Sequence, residues 1–295
     1  MTKFSQYRVF TAVVDTNGIS SAGRLLNHSP SAVSKQLTAL EERVNVQLVD
    51  RSNRRIKITD AGMKFYQQCK EILAKVADAE DDLLASEQSI SGKLSFTMSK
   101  SLVRSSIFEA ITNFSKQNTA IRYNIELSDE IKDLYNSDND FAFRLGKVND
   151  STRLVAIPLG KVRLIFCATP QYLGQHGILK SFDELVNHHL MLLSPYNFSD
   201  VMRKFFKREK ISLNQGTHHT TNDIEVVYQS VLSGQFIGLM LDISVKDELK
   251  NNVFVDVFPT QVLPSKELYL VFKKGALSSK KHKRFKTFIK QQFSA

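Results

Sequence analysis

The chain has 295 residues, 42% of them hydrophobic, and 40 Lys+Arg against 30 Asp+Glu give a net charge of +10. Such a length suits two or three domains with real cores, and the basic balance favours a polyanionic partner. Two cysteines exclude a disulfide-built scaffold, and no apolar run approaches the roughly 20 residues of a membrane-spanning helix. The first residues lack the apolar core of an export signal, so a reducing cytoplasm is the expected compartment.

The most informative stretch runs from Ile19 to Gly62. Asn27-His28-Ser29-Pro30 separates two apolar segments, with Ser29 suited to cap the following helix and Pro30 to its first position. This is helix-turn-helix punctuation. In the second helix Val33, Leu37, Leu40 and Val44 form one inward stripe, so Ser31, Ser34, Lys35 and Thr38 face outward. Short hydroxyls beside one cation let a helix lie close to base edges in a major groove. An ordinary helical hairpin with a solvated outer face has the same spacing, but the adjoining residues 46–58 disfavour it. Val46 to Val49 and Ile56 to Ile58 read as strands around Asp50-Arg51-Ser52-Asn53-Arg54-Arg55, a wing whose Arg51, Arg54 and Arg55 suit phosphate or a narrow minor groove. Residues 1–66 hold ten Lys/Arg against five acids.

This stretch resembles the amino-terminal domain of the LysR-type transcriptional regulators. The resemblance rests on Phe10, Ala22, Leu26, the run Ser29 to Leu37, Leu40-Glu41, Leu48, Arg51, Arg55 and Thr59-Asp60-Ala61-Gly62. It implies a winged helix-turn-helix in which Pro30, Ser31, Ser34 and Lys35 occupy the base-contacting positions. Three departures fall at packing positions: Gly23 for the second alanine of a pair, Val44-Asn45 for Leu-Gly, and Val49-Asp50 for a Phe-centred pair. Lys35 often corresponds to arginine in relatives, and lysine lacks the bidentate fork, which softens base selectivity.

From Thr59 to Ile90 there is no proline and one glycine, predicting a helix of about 30 residues and roughly 45 Å capped by Thr59. Phe65, Cys69, Ile72, Val76, Ala79 and Leu83 have the spacing of a coiled-coil seam, so a two-stranded dimer is expected. Residues 67–90 hold two lysines against six acids, which directs this helix away from DNA. The resemblance implies the same: a linker helix paired antiparallel with that of a second subunit.

Beyond Gly92 strand and helix signals alternate, predicting a parallel α/β sheet. Lys93 to Met98, Ile121 to Leu127 and Phe141 to Arg144 read as strands, with a helix from Ser101 to Lys116. Arg153 to Gly160 and Val162 to Ala168 read as paired runs joined at Lys161, followed by helices at Phe182–Val186, Ser199–Glu209, Asp223–Ser233 and Val245–Lys250. Phe236 to Leu241 is a short run among them, and Leu268 to Phe272 returns to the first half. Crossings near Lys161 and Ser265 imply two lobes and a cleft. Between Lys266 and Lys290 lie nine cations and one acid, read as a solvated basic face on an amphipathic helix built on Phe285, Phe288 and Ile289 rather than as a second DNA contact. This half resembles the periplasmic-binding-protein-like effector domain of the same family, on Ser128-Asp129, Asp140 to Gly146, Leu159-Gly160, Ala168 to Leu173 with Gly177, His189-Leu190 and Gly234 to Leu239.

The overall expectation is α/β, with a winged helix-turn-helix at 1–59, a linker dimerisation helix at 60–90 and a two-lobed effector domain at 91–295. Lobe I takes about 91–161 and 266–295, lobe II about 162–265. A ligand in such a fold sits in the crevice at strand ends. Candidate contacts are Ser99, Lys100, Ser101, Ser128 and Arg144 from lobe I, and Tyr196, Thr221 and Asn222 from lobe II. For each, helix capping, an ion pair or loop packing is the competing role. Lys100, Arg144 and the helix amino termini favour a small organic anion.

Cys69 on the seam and Cys167 within an apolar run read as small hydrophobes rather than a thiol sensor. The doublets His188-His189 and His218-His219 lack metal-ligand spacing, and there is no P-loop, Gly-x-Ser-x-Gly elbow or Gly-x-Gly-x-x-Gly. An enzyme and an exported solute carrier are therefore disfavoured; the carrier would have no use for residues 1–90. The reading is a cytoplasmic regulator without cofactor, metal or catalytic residues. Its partners are double-stranded DNA with two half-sites, a small-molecule effector, RNA polymerase and further copies of itself, first as a dimer through the linker helix and then as a tetramer. No membrane partner is expected.

Overall fold

The computed structural model describes residues 2–50, 56–84, 90–128, 134, 137–146, 148, 152–194, 200–209, 211, 218–275 and 279–293. They form two compact units, Met1–Ile90 and Ser91–Ala295.

In the first unit α1 (Lys3–Asp15), α2 (Ile19–Leu26) and α3 (Pro30–Val44) precede the strand pair β1 (Val49–Asp50) and β2 (Lys57–Ile58), and α4 (Asp60–Leu84) comes after it. Val49 pairs with Ile58 and Asp50 with Lys57, antiparallel. The core gathers Val9, Phe10 and Val13 of α1, Ala22 of α2, Val33, Leu37 and Leu40 of α3, and Leu48 and Val49 of the hairpin. Two departures from the family pattern have steric reasons. A Cβ on Gly23 would lie 2.7 Å from the His28 carbonyl oxygen, so the alanine customary there does not fit. Asn45, the C-cap of α3, has φ 51°, the left-handed conformation that glycine would otherwise supply.

One expectation for α4 is corrected. Cys69 is fully buried in the core of the first unit, and Phe65 packs 5.6 Å from Tyr7 and 5.8 Å from Phe10. The first two positions of the presumed seam are therefore satisfied within the chain. Heptad spacing alone does not separate an intramolecular stripe from an intermolecular one. Leu83, at the other end, is 87% exposed and Ile72 39%.

The second unit is built on a mixed sheet, not a parallel one. Its strands are β3 (Gly92–Met98), β4 (Ile121–Leu127), β5 (Phe141–Leu145), β6 (Leu154–Ala168), β7 (Leu190–Leu193), β8 (His218–Thr221), β9 (Ile237–Leu241), β10 (Val255–Asp256) and β11 (Ser265–Lys273). The order is β4-β3-β5-β11-β6-β9-β7-β8, with β10 beside β6. Within each lobe, β3 runs parallel to β4 and β5, and β7 parallel to β8 and β9. The mixed character comes from the two strands that cross between lobes, β6 and β11, which pair antiparallel to each other and to their neighbours. The two runs expected to join at Lys161 are one 15-residue strand, kept continuous past Gly160 by a register shift opposite Leu268/Tyr269.

The helices are α5 (Ser106–Gln117), α6 (Pro170–His176), α7 (Asp200–Arg208), α8 (Ile224–Leu232), α9 (Lys246–Lys250) and α10 (Lys280–Phe293). The helix expected from Ser101 to Lys116 is broken: a 3-10 turn spans Lys100–Leu102, and Ser105 then caps α5. In lobe I, Phe285 of α10 packs 4.8 Å from Phe96, 5.0 Å from Phe141 and 5.1 Å from Phe114. In lobe II, Phe205 and Phe206 of α7 join Phe166, Phe182 and Phe258 on one side of the sheet, and Val227 and Val231 of α8 cover the other. Among the described residues no helix is long and apolar enough to cross a membrane.

Candidate functional site

The first unit presents α3 as a supported, exposed helix. Ser29 caps it by accepting a hydrogen bond from the Ala32 amide at 3.2 Å, and Pro30 opens its first turn. Gln36, buried, accepts from the Ser5 hydroxyl at 2.8 Å, and Arg43 donates to Gln6 at 3.0 Å, so α1 fixes the rotation of α3 about its axis. With Val33, Leu37 and Leu40 inward, Pro30, Ser31, Lys35 and Thr38 are exposed and Ser34 half-buried, all on the outer side. The hairpin is tied to the same helix: the Glu41 carboxylate accepts from the Leu48 and Val49 amides at 2.8 and 2.9 Å. Thr59 caps α4 by accepting from the Gly62 amide at 2.9 Å. A Cβ on Gly62 would lie 2.1 Å from the Leu48 carbonyl oxygen, so hairpin and helix meet at backbone distance. Arg51, Arg54 and Arg55, expected at the hairpin tip, lie outside the described residues.

In the second unit the carboxyl ends of the parallel strands of both lobes face a cavity of about 220 Å³. Lys100 and Ser101 after β3, Val103 and Arg104, and Leu127 of β4 line it from lobe I. Asp223, Ile224, Glu225 and Tyr228 of α8, Met240 and Leu241 of β9, and Ser244 and Val245 line it from lobe II. Charged contacts join the lobes across it. The Lys100 ammonium donates to Asp223 at 2.9 Å and holds that carboxyl below its usual range. Arg104 lies 3.5 Å over the Tyr228 ring, 3.1 Å from Glu248 and 3.7 Å from Glu225. Tyr228 donates to Glu248 at 2.7 Å; burial and that carboxylate push its phenol up to about 12. Burial pulls Glu248 up, but the hydrogen bonds from Tyr228 and Arg104 outweigh it and its carboxyl stays low. Ser244 donates to the Ser101 carbonyl.

Of the expected contacts, Lys100 and Ser101 line this cavity; Ser99, Ser128, Arg144, Thr221 and Asn222 do not. Ser99 caps the 3-10 turn by accepting from the Ser101 amide, and Thr221 accepts from the Asp223 amide at 3.1 Å. Asp223, not Asn222, caps α8. Ser128 comes directly after β4, its amide donating to Met98 at 2.9 Å. Arg144 sits across from Tyr269 on β11, half-buried, with one guanidinium nitrogen buried without a hydrogen-bond partner. Burial lowers its pKa and Glu126 opposes the shift. Tyr196 lies outside the described residues. Arg104, Glu225, Tyr228 and Glu248 are not recognisable from sequence, because their meeting depends on lobe closure and not on local spacing. Both cysteines are buried; burial pushes Cys69 up to about 11 and Cys167 well above its ordinary value, so neither favours a reactive thiolate.

Residues 4–63 match the model of the bacterial regulatory helix-turn-helix protein of the lysR family, and residues 87–294 match that of the LysR substrate binding domain. The HTH-type transcriptional regulator DmlR of Escherichia coli is 26% identical, with 97% of this chain and 93% of DmlR covered. Full-length LysG of Corynebacterium glutamicum with bound effector Arg superposes with a TM-score of 0.68 at 18% identity, covering 98% and 97% of the two chains. Full-length CbnR in complex with its target DNA gives 0.65 at 18% identity, covering 98% and 99%.

Proposed function

The chain belongs to the LysR family and is a transcriptional regulator with a helix-turn-helix DNA-binding domain and an effector-binding domain; from that premise we propose how each domain works here. Operator sequence is read by Pro30, Ser31, Ser34, Lys35 and Thr38 of α3, and Arg51, Arg54 and Arg55 of the wing reach phosphate or the minor groove. The observation that carries this reading is the rotational setting of α3, with its apolar stripe buried and its hydroxyls and Lys35 turned outward. The protein works in the cytoplasm as a dimer paired through the exposed half of α4, from Ile72 to Leu83, with tetramers formed from dimers. Two heads then require two half-sites, and output passes through RNA polymerase at the promoter.

The effector is a small organic anion held between the lobes, with Lys100 and Ser101 on one side and Ile224 and Tyr228 of α8 on the other. Its carboxylate takes the place of Asp223 at Lys100. A cavity of about 220 Å³ falls below the roughly 300–1,000 Å³ of drug-sized pockets, which favours a compact ligand. Replacing Asp223 releases one contact between the lobes, and the shift in lobe arrangement alters how the DNA-reading heads are spaced.

A gel shift on the promoter region beside the protein's own gene tests the DNA reading. Lys35→Ala should remove the preference for that DNA over random duplex, while equal loss on both would assign Lys35 to phosphate. Calorimetry of the full-length protein against small carboxylates and their neutral amides tests the effector reading. Tight binding of an amide, or carboxylate binding that survives Lys100→Met, would overturn it.

A further inference from the structure

Residues 1–66, which hold the DNA-binding fold, carry a net charge of +5, the acidic linker returns −4, and the larger excess lies beyond it. Residues 1–90 hold twelve Lys/Arg against eleven acids, whereas residues 91–295 hold 28 against 19, so +9 of the +10 belongs to the effector unit. Two helices concentrate it. In α10 the sequence KKHKRFKTFIKQQF contains six Lys/Arg and no acid, and in α7 Arg203, Lys204, Lys207 and Arg208 come after a single aspartate. Each helix is anchored by apolar side chains that fix which way its cations point: Phe285 and Ile289 of α10 are fully buried, and Phe205 and Phe206 of α7 nearly so. Lys283 and Lys290 on α10 and Lys204 and Lys207 on α7 are consequently exposed.

The register of the sheet puts both helices on one side of it. Phe272 of β11 pairs with Phe141, which pairs with Phe96 under α10, and on its other edge with Val155 of β6. Past the register shift Leu268 pairs with Gly160, and alternation along β6 carries that face to Phe166, beneath α7. The cations of α7 and α10 thus lie on one side of the sheet, in the two lobes respectively.

We propose that this side of the effector unit is a second DNA-contact surface, sequence-independent, that engages phosphates outside the operator bases read by α3. Double-stranded DNA is the occupant favoured, because the winged unit already holds it and thereby raises its local concentration around the effector unit. The acidic linker supports the division of labour: residues 67–90 carry a net charge of −4, which leaves the phosphate contacts to the units on either side of it. Lysines and arginines on solvated helices bind phosphate as point charges without base selectivity, and each neutralised phosphate releases condensed counterions.

Fluorescence anisotropy of the full-length protein, titrated across salt on operator duplexes of about 60 bp and on duplexes trimmed to the two half-sites, tests the surface. The variant combines Lys204→Gln, Lys207→Gln, Lys283→Gln and Lys290→Gln, all at exposed positions. On the long duplex the slope of log Kobs against log salt should fall by up to about 0.9 for each lysine that meets a phosphate. On the trimmed duplex the slope should stay, and the preference for operator over random sequence should be unchanged on both. An unaltered slope on the long duplex overturns the proposal. An unaltered slope with reduced transcription in a reconstituted assay also overturns it, and assigns the surface to an acidic protein. Lys35→Ala, run beside it, changes sequence preference and not this length dependence, so the two readings fail separately.

Discussion

The winged unit and the effector unit hold their working residues in opposite ways. In the winged unit they succeed one another along a single helix, from Pro30 to Thr38, and the framework beneath them meets at backbone distance, as at Gly62 against Leu48. In the effector unit the cavity is closed by side chains far apart in sequence: Lys100 on Asp223, Arg104 on Glu225 and Glu248, Ser244 on Ser101. Backbone contact gives no room for adjustment, which suits reading a fixed double helix. Half-exposed ion pairs are weak and replaceable, which suits sensing a ligand.

Substitutions at four sites break or sharpen that contrast, beginning with the largest effect. Gly62→Ala forces a methyl to 2.1 Å from a carbonyl oxygen, and should destabilise the winged unit by about 3 kcal/mol or more and abolish DNA retention. The matching change in the effector unit, Gly238→Ala, meets the side chains of Val231 at 2.5 Å and Val227 at 2.9 Å, with backbone no nearer than the Met191 carbonyl oxygen at 3.7 Å, and should cost about 1–2 kcal/mol. Thermal unfolding of the two variants compares them directly; equal losses would remove the distinction. Glu41→Ala takes the acceptor from two backbone amides and should cost about 2 kcal/mol, with Glu41→Gln recovering much of it because one oxygen can still accept. Arg104→Gln removes a ring contact and two carboxylate contacts from a side chain that is 37% exposed, so the expected loss is only about 1 kcal/mol after screening. A loss of about 3 kcal/mol in chemical denaturation, the scale of a buried pair, would mean the lobes are locked rather than latched.

The smallest effect is a pH dependence confined to the effector unit. His188 is buried beside the Tyr172 hydroxyl at 3.1 Å. Burial, and then the charge of His176, hold its pKa below the ordinary 6.5 against the opposing pull of Glu184. A depressed histidine favours the neutral form, so its contribution is fully present above pH 6.5 and is lost as pH falls through the lower folded value. The effector unit should lose stability on mild acidification. The winged unit buries no histidine among its described residues, so this dependence is expected of the effector unit. Parallel denaturation curves for the two units between about pH 7.5 and about 5.5 check it.

The same contrast explains how much of the molecule is legible in the sequence. The α3 stripe, the Ser29 and Thr59 caps and the wing strands are readable because each is decided within a few residues. Asn45 keeps the left-handed cap that glycine usually supplies, so that departure changes the letter and not the geometry. Long-range facts are not readable. Spacing does not say that Cys69 faces its own domain, nor that Ser105 starts a new helix after the turn at Lys100. Arg104 and Tyr228 belong to segments far apart in the chain, and nothing in either segment announces the other. The continuity of β6 past Gly160 is hidden because a glycine between two apolar runs looks like a turn; here φ is +132° and the strand bulges without ending.

That continuous strand sets the form any signal from the cavity takes. Leu154–Ala168 and Ser265–Lys273 run side by side through nine paired positions from one lobe into the other. Sliding one lobe past its neighbour, or turning it about the strand direction, would tear this ladder. Flexing the ribbon across its width, at the bulge beside Gly160, leaves the ladder intact. Two lobes joined this way have one soft coordinate, an angle, and occupancy of the cleft is expressed as degrees of opening.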